Sequence, residues 1–241
     1  MHLLGLFAHP DDEAFAAGAL MALAARGGAK VTIACATRGE CGSSRSTIGG
    51  MLGDVRSREL AASCAALGAE PPVFLDLPDG KVDSKGAASA VASLLRRLAP
   101  DVVVTLGDDG AYGHRDHIAL TRGLADAVAG MAEPPRVLHA QFPRGMFEPV
   151  WRALRRLVPS PVADTVDLGC NVGRSDLRVD VAPVRAAKLA AISAHASQLV
   201  DGDPHSFLRR GLIDRLLDTE HYRVASGPAL PVGADSVFAG L

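Results

Sequence analysis

MHLLGLFAHPDDEAFAAGALMALAAR, residues Met1 to Arg26, sets an apolar run against an abrupt group of charges and then an alanine-rich stretch. His2–Phe7 reads as a buried strand and Asp12–Arg26 as a helix, with a histidine, a proline and acids at the junction. Pro10 biases His9 toward an extended conformation, so the imidazole belongs to the strand's carboxyl end while the acids fall on the helix's first turn. The plain alternative is an N-cap, because Asp caps helices well, but capping gives no use to an imidazole just before the acids. A borderline divalent ion accepts His nitrogen and carboxylate oxygen together, so His9 and Asp12 read as ligands from one segment.

The same rhythm continues outward. Strands at Val31–Thr37, Val73–Leu77, Val102–Leu106 and Val137–Phe142 alternate with helices at Val55–Leu67, Ser84–Leu98 and Asp116–Gly130. Val102-Val103-Val104 is apolar on both faces, as a strand covered on both sides should be. This alternation predicts an α/β fold, a Rossmann-like three-layer sandwich with a mostly parallel central sheet. After Pro143 the pattern loosens into a helix at Glu148–Val158, a Pro- and Gly-containing stretch from Pro159 to Asp176, a strand at Leu177–Val181, helices at Pro183–His195 and Phe207–Leu217, and an apolar run Tyr222–Ala225. No linker marks a second domain. The expectation is one domain over 1–241, with the core at about 1–143 and cleft and packing elements at about 144–241.

Composition narrows the function. A chain of 241 residues that is 48% hydrophobic buries a sizeable core, and a formal charge of −2 offers no broad basic face for nucleic acid. The N-terminal apolar run lacks the basic flank and length of a signal peptide, and no run approaches the roughly 18 apolar residues of a membrane span, so a cytoplasmic protein with no membrane partner is expected. Cys35, Cys41, Cys64 and Cys170 form no Cys-x-x-Cys pair and read as reduced thiols, with Cys41, in a Gly-rich loop, the one to watch for reactivity. A dinucleotide-binding oxidoreductase needs a Gly-rich first turn, which AHPDDE replaces. The sequence leaves homo-oligomerisation open.

Ligands of open parallel sheets sit beyond the strands' carboxyl ends. AHPDDE occupies one such end, and GDDGAYGHRDHIAL, Gly107–Leu120, occupies another. Strands one and four flank the usual switch point of a doubly wound sheet, so His114, Asp116 and His117 can approach His9 and Asp12. A helix start with Asp116 near the cap explains the second cluster alone. It does not explain acid and histidine clusters at two strand ends. His2, His139, His205 and His221 read as structural, whereas His195, in KLAAISAHASQ, has no assigned role.

These residues resemble the LmbE-like, or PIG-L, family of zinc-dependent N-acetylglucosaminyl deacetylases. The resemblance spans most of the chain and rests on AHPDDE, TRGECG at Thr37–Gly42, RSREL at Arg56–Leu60, LPDG at Leu77–Gly80, HRDH at His114–His117 and KLAAISAHASQ at Lys188–Gln198. AHPDDE with HRDH is the specific pair. The resemblance implies that His9, Asp12 and His117 hold the metal, Zn²⁺ with Fe²⁺ or Co²⁺ as alternatives. It implies Asp11 as the base that activates water, His114 as the partner that stabilises or protonates the tetrahedral species, and Asp116 as its orienter. Tyr112 is a softer candidate for reaching the carbonyl oxygen, and Arg56 and Asp79 for binding the substrate. The chemistry is coherent: three protein ligands leave an open position on zinc, while a carboxylate and an imidazole divide the base and acid work of amide hydrolysis.

The implied partner is a small amino-sugar conjugate, N-acetylglucosaminyl-malate or -inositol in low-molecular-weight thiol biosynthesis, with compact length favouring malate slightly. Alternatives are an amidase of a thiol conjugate, a deacetylase of an antibiotic glycoside or, outside the enzymes, a metal-binding module, which would need no spare base.

Overall fold

The computed structural model describes residues 1–44, 51–154, 175–207 and 212–241. In chain order the elements are β1 (His2–Phe7), α1 (Asp12–Arg26), β2 (Lys30–Cys35), α2 (Leu52–Leu67), β3 (Val73–Phe74), α3 (Ser84–Leu98), β4 (Val102–Thr105) and α4 (Gly110–Gly113). There follow α5 (Arg115–Ala129), β5 (Arg136–Gln141), α6 (Glu148–Leu154), β6 (Leu177–Asp180), α7 (Arg185–Ala194), α8 (Leu212–Leu216) and β7 (Thr219–Ser226). Among the described residues the strands form a mixed sheet of seven, mostly parallel and flanked by helices, as the alternation predicts.

The chain divides into two compact units. The first comprises His2–Asp79 and Val179–Glu220. Here β1 runs parallel to β2 with Leu4 opposite Thr32, and β2 parallel to β3 with Ala34 opposite Val73. Every residue of β1 is buried, which is why it reads as a continuous apolar run rather than an alternating one. Helix α1 is bent at Ala17, whose φ of −148° leaves the helical region. The bend exposes the amides of Ala19 and Leu20, and both donate to the Glu220 carboxylate at 2.8 Å. Lys188 of α7 completes this buried cluster, donating to Glu220 Oε1 at 2.6 Å and to the carbonyls of Phe15 and Leu216 at 3.2 and 2.8 Å.

The second unit comprises Gly80–Arg178 and His221–Leu241. Strand β4 is parallel to β5 with Val104 opposite Leu138, whereas β7 is antiparallel to β5 with His139 opposite Arg223. Arg136 of β5 is fully buried and donates to the carbonyls of Pro228, Ala229, Val237 and Ala239, which fixes the C-terminal segment on the sheet.

Several predicted boundaries move. β3 stops at Phe74, short of Leu77, because Asp76 turns the chain with φ 52° and Leu77 N bonds Ala36 O at 2.8 Å. α2 begins at Leu52 instead of Val55, and a short α4 interrupts the loop after β4. The predicted helix to Val158 is described as far as Leu154, and that from Phe207 as Leu212–Leu216. The rest of the Pro159–Asp176 stretch up to residue 174, Cys170 included, lies outside the described residues.

Candidate active site

In the first unit, AHPDDE leaves the carboxyl end of β1, where Thr37 fixes the exit by donating its amide and hydroxyl to Ala8 O at 3.0 and 3.1 Å. Asp12 reaches back to accept the His9 amide at 2.9 Å, and its Oδ2 lies 3.5 Å from His9 Nδ1. The other ring nitrogen, His9 Nε2, is 3.2 Å from Asp79 Oδ1. Asp79 is itself placed by the Cys41 amide, which donates to Oδ2 at 2.7 Å, and by its own amide, which donates to Glu40 Oε1 at 3.1 Å. Thus TRGECG and LPDG serve to aim a carboxylate at His9. Burial alone would raise the Asp79 carboxyl, but the hydrogen bond and charge of His9, with the Cys41 amide, outweigh it and hold it down at about 2.

Asp11 is the N-cap residue of α1, yet its side chain makes no capping bond. Its backbone has φ 116°, a region side chains rarely adopt. Arg56, from α2, faces the carboxylate with Nη2 3.0 Å from Asp11 Oδ2 and also donates to the carbonyls of Pro10 and Gly39. Burial pushes the Asp11 carboxyl up to about 6 against the pull of Arg56. A carboxylate titrating there suits a base working near neutral pH.

In the second unit the loop after β4 carries the other cluster. Gly110 is held at φ 64°, and a Cβ there would press on His117 Cβ at 3.1 Å and Ile118 Cγ1 at 3.0 Å, so glycine is required. Its carbonyl accepts from His117 Nδ1 at 3.1 Å, which puts the lone pair of His117 on Nε2. His114 stacks on His117 with ring centroids 4.6 Å apart, and Tyr112 meets His117 edge-on at 5.2 Å. His114 caps α5: its Nδ1 accepts the Asp116 amide at 3.2 Å, so the ring presents its proton at Nε2. The buried Asp116 carboxylate accepts the amides of Gly80 and Val82 at 2.7 and 3.3 Å.

Against this geometry stand the comparisons. The family model of PIG-L, GlcNAc-PI de-N-acetylase, matches residues 4–128. A relative in Nakamurella multipartita, named 1D-myo-inositol 2-acetamido-2-deoxy-alpha-D-glucopyranoside deacetylase, is 33% identical, with 97% of this chain and 92% of the relative covered. The chain belongs to the PIG-L family of deacetylases. Among solved structures, N,N'-diacetylchitobiose deacetylase from Pyrococcus horikoshii matches this PIG-L chain with a TM-score of 0.64 at 20% identity, covering 92% of this chain and 83% of that one. The 4-carboxy-2-hydroxymuconate hydratase of Pseudomonas putida matches with a TM-score of 0.67 at 21% identity, covering 97% and 99%. A hydratase beside a deacetylase shows that these likenesses carry the fold alone.

Within the PIG-L chain three of the expected site residues have these partners. Arg56, expected on the substrate, is 6% exposed and engages Asp11 and two carbonyls. Asp79, expected on the substrate, stands against His9. Asp116, expected to orient His114 through its carboxylate, meets it through a backbone amide, while the carboxylate fixes residues 80 to 82. Cys35 and Cys64 are buried free thiols, and Cys41 is exposed and contributes its amide to Asp79.

Glu13, His195 and Ser63 were given no role by sequence reasoning. His195 Nε2 donates to Glu13 Oε1 at 2.7 Å, Ser63 Oγ donates to the same oxygen at 2.6 Å, and all three side chains are fully buried. The acid at the end of AHPDDE was the available signal.

Proposed function

We propose that this PIG-L chain is a zinc-dependent hydrolase that removes the acetyl group from an N-acetylglucosamine conjugate, with inositol as the aglycone. The observation that carries it is the 33% identity over 97% of the chain to a relative named for that inositol glucosaminide. Against it, the length argument for malate weighs less.

The residues fit a borderline divalent ion. His117 has its lone pair fixed on Nε2 by a carbonyl, the arrangement that orients imidazole ligands, and His9 and Asp12 stand side by side with Nδ1 3.5 Å from Oδ2. His9, Asp12 and His117 would hold the ion. When bound, it polarises the amide carbonyl and lowers the pKa of water. Asp11, held by Arg56, takes the proton from the attacking water as oxygen bonds to the acetyl carbon. His114 donates a hydrogen bond from Nε2–H to the developing oxyanion and keeps its proton, and Tyr112 borders the same ring. The C–N bond breaks, the nitrogen gains the proton that Asp11 took from water, and acetate and a free amine leave. Asp11 and His114 are what a binding module would not need.

The test is primary-amine release from N-acetylglucosaminyl-inositol, N-acetylglucosaminyl-malate and N-acetylglucosamine, with kcat/KM measured for each. The inositol conjugate is expected to lead by at least tenfold. Equal rates on all three remove the aglycone from the proposal, and no release from any removes the reaction.

A further inference from the structure

Asp11 is a non-glycine residue at φ 116° and ψ −28°, a conformation that persists only where its surroundings impose it. Two groups do so. Arg56 holds the carboxylate, and Glu13 holds the backbone by accepting the Asp11 amide at Oε2, 2.9 Å away. Glu13 is fully buried, and an ionised carboxylate there needs partners. His195, 182 positions along the chain, donates to its other oxygen at 2.7 Å, with Ser63 at 2.6 Å. The histidine sits at the end of α7, and the next turn is pinned to α2: Ser197 donates its amide to Glu59 Oε1 at 2.6 Å and its hydroxyl to Oε2 at 2.7 Å. A rigid frame therefore stands behind Glu13.

We infer that His195 and Glu13 are positioning residues for the base: the chain of hydrogen bonds from His195 through Glu13 to the Asp11 amide keeps Asp11 in its strained backbone conformation and so aims its carboxylate. The inference rests on Asp11 being the base, as proposed above. Neither residue touches substrate; both act through Asp11. Without the Glu13 acceptor, Asp11 relaxes to an ordinary conformation and its carboxylate swings away from the working position. A misplacement on the order of 1 Å costs up to about 100-fold in rate.

The experiment is a double-variant cycle on the zinc-loaded enzyme with N-acetylglucosaminyl-inositol. His195→Ala and Glu13→Gln are each expected to lower kcat about tenfold or more with KM and zinc content unchanged. His195→Gln, whose amide can donate at the same place, should recover much of the loss. In the Asp11→Asn background either substitution should cost nothing further, because the group they serve is gone. The activity-independent readout is amide exchange in metal-free protein, where the Asp11 N–H should lose protection in His195→Ala. Losses that multiply with that of Asp11→Asn would overturn the inference, as would full kcat in Glu13→Gln if His195→Ala does not fold. Wild-type turnover in Asp11→Asn alone would instead overturn the base assignment, which keeps the two failures distinct.

Discussion

Asp11 is asked to be charged in a place that disfavours charge. Burial raises its carboxyl from an ordinary 3.8 to about 6 despite Arg56, so in metal-free protein the folded chain holds a proton that the unfolded chain has released between about 4 and about 6. The unfolded state then binds fewer protons, and stability falls as pH rises through that window. Asp11→Asn mimics the protonated side chain. Its metal-free form should therefore lose the fall and unfold a few degrees higher than wild type at pH 7, while zinc-loaded turnover drops about 100-fold or more. Thermal unfolding from pH 4 to 7 with and without the substitution checks the first half; parallel pH profiles would refute it. In the sequence, His-Pro-Asp-Asp after an apolar strand marked the segment, and the base role of Asp11 came from the family resemblance. The ion pair of Arg56 with Asp11 was not legible, since a guanidinium turned toward a carboxylate and one turned toward a sugar look alike in RSREL.

Among the elements, α1 shows where legibility ends. Its span was readable from composition and caps, yet its bend at Ala17 was not, because the cause is a lysine and a glutamate far along the chain. Likewise β7 read only as an apolar run, since its antiparallel pairing depends on β5. The Lys188–Glu220 pair is fully buried and satisfies the amides that the bend frees, so removing one partner should be severe. Lys188→Met is expected to destabilise the fold by about 3 kcal/mol or more in urea unfolding, because it leaves a buried carboxylate without its cation. Adding Glu220→Gln should cost less than it does alone. Additive losses would mean that the two side chains act independently.

For the whole molecule, strand and helix alternation made the α/β class legible, and the acid and histidine clusters at strand ends are what the proposed chemistry rests on. Networks such as Glu13 with His195 stayed hidden because they join distant segments at no characteristic spacing. The proposed zinc ligands are likewise distant, with His9 and Asp12 at one strand end and His117 on another loop. An ion that requires all of them binds the folded chain and not the unfolded one, and at about 1,000 times its Kd it adds about 4 kcal/mol. Zinc should therefore raise the Tm by several degrees, and chelation should abolish both the rise and the deacetylation. His117→Ala removes one ligand at the helix start without touching the AHPDDE frame, so the variant should keep the metal-free Tm and show no response to zinc. A Tm indifferent to zinc in the unsubstituted protein, together with amine release that survives exhaustive chelation, would take the metal out of the mechanism and leave Asp11 and His114 to carry the hydrolysis unaided.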